Sequence, residues 1–417
     1  MNTRPYFVFL LVFGIFHGAF GQLEEANPPD YIKSITFKSR SSEQGEIPIL
    51  KLGEAFDLEF DALVPNEPDF YYEIEHFNYD WTESNLVKAE FLRGVDDFRI
   101  VDYRNSFNTF QLYSHYRLSI PNQQTRGLLV SGNYMIFIYD EDNNLVFSRK
   151  FMIYEDIMAV GIAVKRSRDV NFIDGIQTID INVNGNLMLN NPLETVNTVI
   201  IQNSNLNTSI TNLRPQYVLG NELIYRYTNE TAFAGGNEYF FFETKDVRAA
   251  NNGVQFIDLQ DIYHSYLFTN LPRLDNEYTF NPDINGRFTI TAIDREDTSI
   301  EADYTMVHFS LADNKLPDGD RLYVYGNFNN YALDSYNELK YNEREQMYET
   351  SFKLKQGFYN YKYVVLRSDD TLDEGAISGN FWQTENNYKV LIYYRDLGAR
   401  YDRIIGFNEV SSVNITN

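Results

Sequence analysis

The feature that most constrains this chain is alternation. Asp57-Leu58-Glu59-Phe60-Asp61 switches between polar and apolar at every step, and Tyr71-Tyr72-Glu73-Ile74-Glu75-His76-Phe77 follows the same rhythm. A period of two puts successive side chains on opposite faces, which suits a half-buried strand and not a helix. Tyr134 to Tyr139 and Leu145-Val146-Phe147 flank the polar run Asp140-Glu141-Asp142-Asn143-Asn144, which predicts a hairpin. Asp283-Ile284-Asn285-Gly286-Arg287-Phe288 carries an Asn-Gly pair, a strong short-range hairpin signal. No long stretch keeps a helical period. The chain has 32 Tyr and 32 Phe, and aromatic residues make up 16% of it, which favours strands further. Many short strands with turns between them predict an all-β protein built from β-sandwiches.

Length and local composition divide the chain. At 417 residues it has room for two to four domains with real cores. Residues 1–21 read as a secretory signal peptide: Arg4 is the positive start, Tyr6 to Phe16 the apolar stretch, and Gly18-Ala19-Phe20-Gly21 the small-residue cut site. A membrane anchor is the rival, but a span needs about 20 apolar residues and this run is shorter. No later stretch is apolar enough to cross a bilayer. Residues 22–30 form a leader ending in Pro28-Pro29. The sandwiches are expected at 22–155, 156–300 and 301–417, each of a size that suits one such domain.

Charge and cysteine count exclude whole function classes. With 59 acidic against 35 basic residues, the formal charge is −24. Such a chain repels phosphate backbones and anionic membrane surfaces, so no nucleic acid and no direct membrane insertion are expected. Zero Cys removes disulfides, cysteine-ligated metals and thiol nucleophiles. An exported chain without Cys suits a bacterial envelope better than a secreted eukaryotic setting.

Catalytic signals are weak. No Gly-x-Ser-x-Gly occurs, and Gly235-Gly236-Asn237-Glu238 lacks the Lys-Ser/Thr of a phosphate loop, so it reads as a turn. His76, His115, His264 and His308 are not spaced as paired metal ligands. The run Asp140 to Asn144 fails as a calcium loop, because Leu145 stands where Gly is needed and Phe151 where Glu is needed. Asp57, Glu59 and Asp61 share one strand face that could hold an ion with a neighbouring loop, and the plainer reading is a solvated face. Abundant carboxylates keep glycoside hydrolysis open in principle, but nothing singles out a pair. No cofactor, metal or catalytic residue is therefore assigned.

The C-terminal third carries a more specific pattern. Arg321-Leu322-Tyr323-Val324-Tyr325-Gly326-Asn327-Phe328-Asn329-Asn330-Tyr331 is followed by Met347 to Phe352 and by Leu354-Lys355-Gln356-Gly357-Phe358-Tyr359-Asn360-Tyr361-Lys362-Tyr363. This resembles the immunoglobulin-like modules related to glycogen-binding domains. There a Gly-x-Phe-Asn-x-Trp turn offers an aromatic platform to a sugar. Tyr331 takes the Trp place here, with Trp382 available nearby in sequence. The fold can be shared without the sugar site.

Motifs along nearly the whole chain resemble one family. They include Pro29-Asp30-Tyr31-Ile32, Phe77-Asn78-Tyr79-Asp80-Trp81, Phe91-Leu92-Arg93-Gly94, Ser106-Phe107-Asn108-Thr109 and Ser131-Gly132-Asn133-Tyr134. Gln202-Asn203, Gly235-Gly236-Asn237-Glu238, Asp283-Ile284-Asn285-Gly286, Ala302-Asp303-Tyr304 and Thr384-Glu385-Asn386-Asn387-Tyr388 continue the order. The set resembles the plug proteins of the type IX secretion system of Bacteroidota. Asn78 departs from it, standing where many relatives carry Cys. The resemblance implies tandem immunoglobulin-like β-sandwich domains in the periplasm. It implies a non-enzymatic protein that closes the periplasmic mouth of the large outer-membrane β-barrel translocon while no cargo is engaged. Loop aromatics such as Trp81 and Tyr331 are the candidate partner anchors, since aromatic side chains give adaptable contact area. An envelope carbohydrate-binding protein is the alternative, and a hydrolase the third reading.

Overall fold

The computed structural model describes residues 23–40 and 47–415, so residues 1–21, expected to be a signal peptide, lie outside the described residues. Its regular structure is nearly all strand. Its helical segments Lys88–Phe91, Pro192–Thr195 and Thr298–Glu301 are single turns of four residues each. Among the described residues no helix is long and apolar enough to cross a membrane.

The first unit packs two sheets face to face. One runs Ile32–Ser39, Phe56–Ala62, Ser114–Ile120, Asp102–Asn105, and the other Ile49–Lys51, Leu145–Tyr154, Gly132–Tyr139, Tyr71–Phe77, Phe98–Arg99. The alternating apolar residues face inward, so Leu58, Phe60, Tyr72, Ile74, Tyr134 and Ile136 share one core. Phe37, Phe56 and Phe151 form a triangle with ring centres 5.2–5.4 Å apart. The expected hairpin is present: Gly132–Tyr139 pairs antiparallel with Leu145–Tyr154. At its tip Asp140 accepts hydrogen bonds from the backbone N–H groups of Asp142 and Asn144.

The remaining chain does not divide at residue 300. Strand Asn387–Tyr394 lies between Val196–Gln202 and Arg403–Ser411, in a sheet completed by Asn205–Leu213. This sheet packs on a second one built from Met158–Arg166, Ile176–Gly185, Glu222–Tyr225, Tyr217–Leu219 and Ala232–Ala234. The C-terminal residues thus complete the middle unit. Between them stands a third unit, a 10-stranded sheet that draws Phe240–Glu243, Val254–Leu259, Tyr263–Leu267 and Phe288–Ile290 from before residue 300 and the rest from after it. The expected boundary between 156–300 and 301–417 is therefore corrected: backbone ladders cross it repeatedly, and the third unit is inserted into the second.

The physical reason is legible in the strand Asn387–Tyr394, which is apolar on both faces. Tyr388, Val390, Ile392 and Tyr394 enter the middle core, while Leu391 and Tyr393 join Met152, Val199, Ile201 and Ile404 in a seam against the first unit. Only a central strand with both faces covered can bury such a run.

A second correction concerns Asp283 to Phe288. Asn285 and Gly286 do take the two positive φ angles of a tight turn, 54° and 78°. No strand precedes them, however, and only Phe288–Ile290 pairs onward. The Asp283 carboxylate occupies the turn's entry by accepting from the backbone N–H of Tyr239 and Asn285, so that segment is fixed by side-chain capping.

Candidate functional site: seams and exposed edge

The contacts between units hold polar knots, and two of them draw largely on motif residues. The first joins the first and third units. Asp61 is fully buried on the outer side of its strand. It accepts hydrogen bonds from His115 Nδ1 (2.7 Å), Tyr304 Oη (2.6 Å) and Lys355 Nζ (2.6 Å). Lys355 also donates to Ser299 O at 2.6 Å and sits 4.2 Å above the Tyr113 ring. Burial alone raises an acid, but Lys355 and His115 reverse it and hold Asp61 below the usual carboxylate range. Burial pulls the Lys355 ammonium below its usual value, against the attraction of Asp61. Beside this knot opens a cleft of about 580 Å³ between the units, lined by Lys38, Glu59, Arg104, Arg117 and Asp297 among others.

The expectation of a solvated acidic face is thereby corrected. Asp57 is buried and bonded by Arg40, Arg117 and Ser119. Glu59 pairs with Lys38 and Arg117. Each acid of the triplet meets a cation, so the face is neutralised by protein groups. Among the described residues no group of three or more His, Asp or Glu is placed to hold a metal ion. His264 and His308 do meet, with Nδ1 and Nε2 2.9 Å apart, because their parallel strands bring together residues 44 positions apart. Sequence spacing gives no sign of that pair.

The second knot is where the chain leaves the middle unit at Gly235–Glu238 and returns at Thr384–Tyr388. Gln177 Nε2 donates to the carbonyls of Trp382 and Thr384, and its Oε1 accepts from Asn386 and Tyr388. Asn386 Nδ2 donates to Gly235 O at 2.8 Å, and Asn203 Nδ2 to Asn386 Oδ1 at 2.7 Å. Asn285 reaches Glu385 at 2.8 Å, and Tyr278 donates to Glu238. Four motif segments, remote in sequence, thus converge on one crossing. Gly286 is required there, since a Cβ would lie 2.8 Å from ring atoms of Tyr239 at a φ of 78°. Burial, with Glu238 and Glu385 nearby, pushes the Asp283 carboxyl up to about 7, against two backbone donors.

Of the two proposed anchors, Tyr331 lies in the interior and Trp81 is half-buried. Tyr331 is 2% exposed, with its ring 5.1 Å from Tyr325 and its hydroxyl donating to Asn203 O at 2.9 Å. Asn330 and Tyr331 both have φ of 55°, and this double left-handed step turns the ring inward. The expectation of an exposed loop anchor or sugar platform at Tyr331 is corrected on that ground. Trp382 does not join it; its ring lies under Arg166 at 4.7 Å. Trp81 is half-buried at the third contact, the seam between the first and middle units where an apolar cluster lies beside the Tyr393–Asn133 and Arg403–Glu155 bonds, with Lys150 Nζ 4.5 Å over its ring.

Exposed aromatic area sits elsewhere. Phe107 and Phe110 are 65% and 54% exposed on a loop of the first unit. That loop docks on the third unit: Phe107 N donates to Ile300 O, and the Asp303 carboxylate accepts from Phe110 N and Gln111 N. Phe110 packs edge-on against Tyr263, at 5.3 Å. Tyr263 is the cross-strand partner of Leu259, on the outermost strand of the large sheet. Ser106-Phe107-Asn108-Thr109 was a motif signal, but its alternation gives no reason to expect exposure.

Fold and seams together define a class: an all-β protein of three interlocked sandwich units with interdigitated chain crossings. Residues 32–155 match the family model described as type 9 secretion system plug protein, first domain. A crystal structure of a hypothetical protein from Parabacteroides merdae ATCC 43184 superposes with a TM-score of 0.89 at 32% identity. The likeness covers 93% of this chain and 98% of that one. Among curated proteins none matches the chain. This chain belongs to the type 9 secretion system plug protein family.

Proposed function

We propose that this protein is a periplasmic plug that binds the periplasmic opening of the type IX outer-membrane β-barrel translocon and closes it while no cargo is engaged. The observation that carries the reading is the family match over residues 32–155. Export would rest on the signal peptide at residues 1–21. Three physical features support a capping role. A cap must hold its shape against a wide pore, and the buried Asp61–Lys355 pair and the Gln177–Asn386 crossing join the units without relying on flexible linkers. It must release, and an acidic surface with a few exposed aromatics favours a polar, reversible interface. It needs no chemistry, and the plug family is not an enzyme family. The carbohydrate reading lacks its platform, because Tyr331 is inside the protein.

The test is affinity purification of the tagged mature chain from its own envelope in mild detergent, with mass spectrometry of what co-elutes. A very large outer-membrane barrel at near-equal amounts is the expected result. Retention of glycans only, or of nothing, would overturn the reading.

A further inference from the structure

The strand Val254–Leu259 ends the ten-stranded sheet, and among the described residues it has one strand neighbour, Tyr263–Leu267. Natural sheets guard such edges with Lys, Pro, bulges or shortness. Other edges here follow that rule. Ile32–Ser39 carries Lys33 and Lys38 and a register shift, Met158–Arg166 ends in Lys165-Arg166, and Asp102–Asn105 is short and charged. Asn205–Leu213 pairs through two register shifts. Val254-Gln255-Phe256-Ile257-Asp258-Leu259 has no Lys and no Pro, and its single shift comes before Phe256, leaving Phe256 to Leu259 in continuous register.

This edge is apolar on both faces. Phe256 is 48% exposed and stacks on Tyr266 at 4.2 Å on one side. Leu259, 50% exposed, stands with Tyr263 on the other, where Phe110 and its loop extend the apolar ridge. The charge is one-sided too. From residue 249 to 272 there is no Lys or Arg, while Asp258 and Asp261 are exposed. A strand laid along the edge would meet backbone donors and acceptors, apolar flanks above and below, and acids that favour a basic side chain.

We infer that Val254–Leu259 is a docking edge that accepts an extended segment of the translocon partner, with apolar side chains beside Phe256 and Leu259 and a Lys or Arg opposite Asp258. The inference rests on the plug reading and names the surface through which it acts. The charge decides the occupant: a second copy laid along this edge would add its own Asp258 and Asp261 and no Lys or Arg from residue 249 to 272 to offset them.

The test uses the full mature chain and the purified, detergent-solubilised barrel. Leu259→Lys and Asp258→Lys are introduced at exposed positions, and unchanged melting confirms folding. Each is expected to weaken barrel binding about tenfold or more, as loss of an interface anchor does. Hydrogen exchange of the 254–259 amides in the wild-type complex should slow relative to the free chain. Wild-type protein that fails to bind the barrel overturns the plug reading and this inference together. Wild-type binding that both variants keep, with the 254–259 amides exchanging as in the free chain, overturns the inference alone. A concentration-dependent dimer abolished by Leu259→Lys assigns the edge to a second copy and also overturns it.

Discussion

Replacing Lys355 by Met tests whether the first and third units are locked together. The substitution keeps most of the apolar stem and deletes the ammonium that lies 2.6 Å from Asp61. Removing one partner of a buried ion pair costs about 3–5 kcal/mol, because the other charge stays buried without its counterion. Here the lower end applies, since Asp61 keeps Tyr304 and His115 as donors. Ser299 O also loses its Lys355 donor. The expected loss is therefore about 3 kcal/mol in denaturant unfolding monitored by tyrosine fluorescence. Combining it with Asp61→Asn should cost clearly less than the two single losses added, because the buried charge is then gone. A single-variant loss below about 1 kcal/mol would refute the reasoning, as it would match a solvent-exposed pair. So would strict additivity of the double variant.

The other predictions are independent of that pair. Burial pulls the His76 imidazole down to about 4 from its ordinary 6.5, so the folded chain holds this proton less tightly than the unfolded one. Its contribution is complete above pH 6.5 and is lost as pH falls towards 4, about 2 kcal/mol of it by pH 5. His76→Phe should remove that part of the acid sensitivity, and equal pH profiles for both proteins would contradict the assignment. Tyr331→Ala should destabilise by about 3–5 kcal/mol, as deletion of a buried aromatic does, and circular-dichroism melts will show it. Native stability with weakened barrel binding would restore Tyr331 as a surface anchor. Trp81→Ala should cost about 1–3 kcal/mol, because the ring fills the seam between the first and middle units only in part; differential scanning calorimetry that finds the melting unchanged would remove it from that seam.

The all-β class was legible because alternation in segments such as Asp57–Asp61 and Tyr71–Phe77 reports directly on local backbone geometry. The partner of each strand was not. Asn387–Tyr394 shows by its apolar run Val390–Tyr394 that both faces are buried, but nothing in it names Val196–Gln202, about 190 positions earlier, as a neighbour. Assignment by sequence proximity therefore placed it in the wrong unit. The Tyr331 anchor failed for a related reason. The sequence shows that Tyr331 follows a Gly-x-Phe-Asn turn, but whether the next ring points out or in depends on two left-handed residues and on Asn203 of another unit. The acidic triplet looked solvated because its partners, Arg117, His115 and Lys355, lie on other strands. The family resemblance drew on short turn motifs, and four of these meet at the crossing around Gln177 and Asn386. Their order along the chain records a spatial convergence that no local pattern reveals.

The measurement that tests the central claim most directly is the conductance of the purified translocon barrel in a planar bilayer, with and without this protein on the periplasmic side. Stepwise closure at near-equal protein and barrel, reversed on washing, is the predicted result. Conductance unchanged at saturating protein would contradict the account.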